Sequence, residues 1–205
     1  RGTQRPGGVI PQELAPLGQA QMFYALLGNL VSTTGSGPYT HVLKGIDNTS
    51  KLPSYSIEKG FLDLDTATYQ AWLGSRFDAA TIDFNVDAMV QCNFSVISRS
   101  VTNPSFTSIL AGSAADMTTD SFTGVQVTIS EGTSLVALGT AQQLQLSINN
   151  NHYANNFGLG SNYRANMKAG TRRTSVTGTF MFNDYALYTK ALTGTDTKIN
   201  IVVSD

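Results

Sequence analysis

Charge is what this chain of 205 residues has least of: Asp, Glu, Lys and Arg make up 13%. That is about half the roughly 25% of an ordinary soluble domain. Formal net charge is −1. No basic run or tail disturbs the balance, which argues against tight nucleic-acid binding. The single cysteine, Cys92, excludes a disulfide framework. Its place on an apolar strand face points to a buried thiol. No apolar stretch approaches the roughly 18 residues of a transmembrane helix, so no membrane partner is expected. No signal-peptide pattern is recognisable.

Chemistry-bearing side chains are equally sparse. The histidines, His41 and His152, stand far apart in sequence, without clustered ligands for zinc. Pairing Cys92 with either His as a nucleophile conflicts with its expected burial. No phosphate-cradling glycine loop is present, and Gly158-Leu159-Gly160 has the wrong continuation. Asp63 and Asp65 are not followed by a calcium-loop pattern. Asn48-Thr49-Ser50 and Asn93-Phe94-Ser95 match glycosylation acceptors, but without a secretory signal they read as chance. No catalytic residue, cofactor or metal is expected.

What is abundant is Gly, Ser, Thr and Asn, together with 41% hydrophobic residues, enough for a real core. Such a weakly charged surface is poorly solvated, which suggests that neighbours cover much of it. Residues 52–98 carry the clearest order. Ile82, Phe84 and Val86 alternate with Thr81, Asp83 and Asn85. After a turn near Asp87-Ala88, Val90, Cys92, Phe94 and Val96 alternate with Gln91, Asn93 and Ser95. Period-two alternation marks an antiparallel sheet buried on one face. A second pair repeats it: Leu144, Leu146 and Ile148 alternate with Gln143, Gln145 and Ser147. In residues 172–182, Val176, Phe180 and Phe182 point inward against Ser175, Thr177 and Thr179. The expected core is therefore Ile82, Phe84, Val90, Phe94, Leu144, Leu146, Val176 and Phe180.

The remaining elements follow from spacing and punctuation. Residues 1–18 are rich in Gly and Pro and read as an extended arm, with Val9, Ile10, Leu14 and Leu17 able to dock on a neighbour. Residues 19–205 read as a single domain. Residues 19–31 have helical spacing. Strands are expected at 39–43, 55–62, 122–129, 135–138 and 198–203. Asp65 and Asp184 each precede a short helical pattern ended by Gly74 and Gly194. In the first of these, Trp72 would face the core. This strand–helix–strand echo suggests either a duplication or a common local pattern. Residues 33–38, 45–52, 99–121 and 149–168 read as loops.

Certain segments, taken in order, resemble a family. They are Leu26-Leu27-Gly28, the stretch from Thr33 to Lys44, Pro53 to Phe61, Ser147 to Asn151, Leu159 to Ser161, and Val176 to Tyr188. Over roughly residues 17–203 the chain is similar to the tail tube proteins of long-tailed bacteriophages. The N-terminal arm and the polar 99–121 stretch depart from the pattern.

The resemblance implies a mainly β fold: a β-sandwich or split barrel with two or three short flanking helices. It implies hexameric rings stacked into a tube, with sheets of adjacent subunits joined into one barrel around a lumen. The implied partners are further copies of the chain, a tape-measure protein in the lumen, and terminator and baseplate proteins at the ends. Double-stranded DNA passes through transiently. The implied location is the virion, after assembly in the host cytoplasm. On this reading Thr81, Asp83, Asn85, Gln91, Asn93 and Ser95 line the lumen. Gln143, Gln145, Ser147, Ser175, Thr177 and Thr179 join them. Arg173 is the awkward member, expected near a ring mouth or paired with an acid. Plain solvent exposure of this face stays open. A tail terminator, a baseplate ring protein and a carbohydrate-binding virion module stay open as alternative functions.

Overall fold

The computed structural model describes residues 2–16, 18–32, 37, 39–46, 50–110, 119–132, 134, 136–137, 140–181 and 185–204. The elements in chain order are β1 (Gly7–Glu13), α1 (Ala20–Leu27), β2 (Gly28–Ser32), β3 (His41–Gly45), β4 (Tyr55–Phe61) and β5 (Thr68–Asn85). Then come β6 (Gln91–Ile97), β7 (Ser100–Val101), β8 (Val127–Glu131), β9 (Val136–Ala137), β10 (Ala141–Asn149), β11 (Arg173–Phe180), α2 (Ala186–Thr193) and β12 (Ile199–Val203). The fold is mainly β with two flanking helices and a sandwich-like layout.

The principal sheet runs β1-β6-β5-β10-β11, antiparallel throughout. Its apolar face holds the core. Ile82, Phe84, Cys92, Phe94, Leu144 and Ile148 are buried there, with Leu146, Val176 and Phe180 partly buried against them. Val90 is also fully buried, in the turn between β5 and β6, where its N–H donates to Phe122 and its carbonyl accepts from Leu14. Helix α1 closes part of this face through Ala25 and Leu26, and the Phe23 ring meets Phe94 edge-on at 5.2 Å. The smaller sheet β12-β8-β9 closes the rest through Val127, Ile129, Ile201 and Val203. Val86, expected inward, is 47% exposed because β5 has ended at Asn85 and the chain is already turning.

Several expectations are corrected. The helix expected after Asp65 does not form: Thr68–Asn85 is one strand of 18 residues. Thr68, Tyr69 and Trp72 are β-branched or aromatic and suit a pleated surface. Pairing with β4 on one side and with β7 on the other outweighs a local helical pattern. Gly74, expected to end a helix, sits inside the strand with φ +61°, where β5 passes from the β4 and β7 pairings to the principal sheet. Trp72 is consequently a half-buried strand residue paired with Ile57 and Val101. Without that helix the internal echo is lost.

The helix expected over 19–31 stops at Leu27. Gly28 adopts a left-handed cap (φ +88°), and Gly28–Ser32 continues as β2, paired with β3. Residues 7–13 are extended, but they hydrogen-bond to β6 of their own chain. Within 99–121, β7 and a bridge from Ser105 to Tyr69 add backbone pairing to β5. Asp184 and Phe182 lie outside the described residues, and α2 starts after Tyr185 without a side-chain cap.

Replacing Gly74 by Val should lower the stability of the dispersed subunit. The left-handed backbone there disfavours a side chain by about 1–2 kcal/mol, and a Cβ would sit 3.2 Å from the Arg99 Cβ. The expected readout is a lower urea midpoint with an unchanged slope.

Candidate functional site

The polar residues of alternate positions are collected by strand register into rows across one face. Asn85, Gln143 and Thr179 form one row. Glu13, Gln91, Asp83, Gln145 and Thr177 form the next. Pro11, Asn93, Thr81, Ser147 and Ser175 follow, and then Val9, Ser95, Ala79, Asn149 and Arg173. All of the side chains expected on the polar face therefore share it. Those on the central strands β5 and β6 are half-buried among their neighbours, whereas Gln143, Gln145, Ser175, Thr177 and Thr179 are exposed. Asp83 accepts a hydrogen bond from the Gln145 amide at 2.6 Å, a cross-strand contact within one row.

Charge on this face is confined and mostly peripheral. Glu13 stands at the β1 edge and Arg173 at the β11 edge. Arg76, paired with Ile97 beyond the polar rows, donates to the Met167 carbonyl at 2.7 Å. Thr, Ser, Asn and Gln fill the middle and keep it wet without concentrating charge.

A second set of residues, missed by sequence reasoning, locks one end of this sheet. The register slips between Phe77 and Ala79, leaving Asp78 in a bulge of β5. Its carboxylate accepts from the His152 N–H at 2.8 Å and from the His152 ring Nδ1 at 2.9 Å. Burial pushes the Asp78 carboxyl up, but the hydrogen bonds and the charge of His152 more than offset this, so its pKa lies below the usual 3.8.

Asn150, 1% exposed, donates from its amide to the carbonyls of Leu26 and Phe77. Its oxygen accepts from Arg172, which also donates to the last carbonyls of α1 at Leu26 and Leu27. A cation there complements the negative end of the helix. Arg164, 6% exposed, donates to the carbonyls of Ala154, Pro6 and Ser98. Desolvation, with the nearby Arg5 charge, lowers its pKa.

The 149–168 segment reads from its sequence as a loop. Its buried polar side chains tie it to this same chain. The bulge that aligns Asp78 depends on pairing from both sides, and local sequence carries no sign of it.

Cys92 is fully buried, and desolvation, reinforced by the Asp83 charge, pushes its thiol up to about 12. Among the described residues no group of three or more His, Cys, Asp or Glu side chains could hold a metal ion. No described helix is long and apolar enough to cross a membrane.

An antiparallel sheet buried on one side, with a polar wall on the other and end strands unpaired on their outer sides among the described residues, defines a β subunit suited to edge and face contacts. The phage tail tube protein family model matches residues 1–205, and the chain belongs to that family. It is a structural protein of the phage virion whose copies assemble into the tail tube. Comparison with curated proteins gives no match.

Two measurements test this geometry. Cys92 should resist thiol reagents in the native subunit at pH 8 and react fully once the chain is unfolded in urea. Rapid native labelling would contradict its burial. Asp78 should make stability acid-sensitive. Its contribution is complete above the unfolded-state value near 3.8 and is lost as pH falls through the lower folded value. Asp78→Asn should flatten the fall in stability below about pH 4, read from urea midpoints at successive pH values.

Proposed function

We propose that the chain forms hexameric rings which stack into the tail tube, with the polar face of the principal sheet as the lumenal wall. The carrying observation is the alignment of mostly uncharged polar side chains into rows across that face, with Asp83 the one charge in their middle. On this reading Thr81, Asp83, Asn85, Gln91, Asn93, Ser95, Gln143, Gln145, Ser147, Ser175, Thr177 and Thr179 face the lumen. Before ejection the channel holds a tape-measure protein; terminator and baseplate proteins close its ends. The rings assemble in the host cytoplasm.

The physics of passage supports this placement. Duplex DNA presents one negative charge per about 1.7 Å of its axis. Ring symmetry and stacking multiply every lumenal cation. Lys or Arg in the middle of the face would sum to a strong hold on the duplex. Uncharged polar groups stay hydrated and exchange partners readily, so the duplex slides. Asp83 repels phosphate weakly, with its charge engaged by Gln145.

The apolar face is already filled by α1 and the smaller sheet. The edges of β1 and β11, unpaired by any described residue, supply lateral joining sites, and pairing them removes exposed sheet edges.

Phage carrying Gln145→Lys should assemble tails of normal length but eject DNA more slowly, with a loss of about tenfold or more in rate at low salt that higher salt relieves. Ejection kinetics from purified particles provide the readout. Normal ejection at all salt concentrations would remove Gln145 from the lumen.

A further inference from the structure

The principal sheet fixes how its two edges can meet. With β1-β6-β5-β10-β11 antiparallel throughout, β1 and β11 run in the same direction. If neighbouring copies join edge to edge, as proposed above, the new ladder is therefore parallel. The polar wall remains continuous only for an even offset between the strands, since an odd slip turns every side chain to the other face.

Closure also demands stagger. Five strands at about 4.8 Å span roughly 24 Å. A tilt of about 30° displaces the next copy by roughly 14 Å along the strands, near four residues at about 3.3 Å each. A tilt of about 40° gives near six.

Charge and burial choose among these offsets. Arg173 shares a row with Val9. A shift of about four residues toward the end of β1 sets Arg173 opposite Glu13 of the next copy. The same shift in the other sense sets it against Arg5, a like charge. A shift of about six carries it to Ala15, which is 6% exposed and turned into its own chain. Arg173 and Glu13 are both exposed, and neither makes an ion pair with a described residue of its own chain.

The backbone alone specifies this seam weakly. Pro6 and Leu14 bond toward the β6 side, through Ser98 and Val90, so the odd-numbered Pro11 turns its missing N–H outward. A side-chain pair can supply the register that an incomplete ladder leaves loose.

We infer that Arg173 of one copy pairs with Glu13 of the adjacent copy across a parallel, staggered β11–β1 seam. The pair closes the sheet at a defined register. It also neutralises the cation at the edge of the polar wall. The inference rests on the lumenal-wall reading, but it can fail separately from it.

The test is a charge-exchange cycle on purified full-length protein, with tube formation followed by sedimentation and electron microscopy. Glu13→Arg and Arg173→Glu should each raise the concentration needed for assembly by roughly tenfold or more. Glu13→Arg combined with Arg173→Glu should restore it to near the wild-type value. Unchanged assembly of the single variants, or no restoration in the combination, overturns the pair.

Cysteine pairs give an independent answer. Glu13→Cys with Arg173→Cys should cross-link copies under oxidation only in tubes. Glu13→Cys with Thr177→Cys, the unstaggered alternative, should not. The reverse pattern overturns the stagger, and no cross-link from either pair overturns the seam. A tube whose polar sheet face lies outside the lumen overturns the lumenal-wall reading itself.

Discussion

The two-sided pairing of β5 is the constraint on which the rest of the molecule depends. Its first half is held between β4 and β7, and its second half between β6 and β10. A strand so enclosed cannot slip by one residue without turning Ile82 and Phe84 into water and Thr81 and Asp83 into the core. Every neighbouring register is read from it. Gly74 lets the strand turn between the two groups of partners, and the bulge at Asp78 resets the alternation so that Phe77 and Ala80 both reach the core.

That register separates two kinds of surface within one sheet. The apolar face is satisfied by the chain itself, through α1, the smaller sheet, and a cluster of edge-on rings at Phe23, Phe94, Phe77 and Tyr55. The polar face and the outer edges of β1 and β11 carry no further strand or helix among the described residues. In a tail tube subunit this division has a mechanical sense. The described core is closed by the chain's own elements, while the proposed assembly gives the edges and the sparsely charged wall their use.

The lock around residues 150–172 serves the same division. It fastens the connection between β10 and β11 to the bulge, to the C-terminus of α1 and to the chain near Pro6. Its partners are mostly backbone carbonyls, which sparse carboxylates could not replace in so weakly charged a chain. Arginine and asparagine suit the task because each satisfies several carbonyls from one side chain.

Much of this was legible from the residues alone. Alternation identified the second half of β5, β6, β10 and β11, their buried and polar faces, and the buried state of Cys92. Alternation is a local property, and strand geometry converts it directly into two faces. The ordered segments also carried the tail tube resemblance.

What local sequence could not contain was partnership. Residues 66–73 have helical spacing between a capping Asp65 and a closing Gly74, yet from Thr68 onward they form strand because β4 and β7 bond them on both sides. The 149–168 segment reads as a loop because most of the carbonyls that satisfy Asn150 and Arg164 lie far away in the chain. The polar residues of separate hairpins became one wall only when β5 paired with β10. The sequence by itself determined which face of each strand is polar. Tertiary structure decided which strands stand together, because hydrogen-bond partners distant in the chain are chosen by the packed whole.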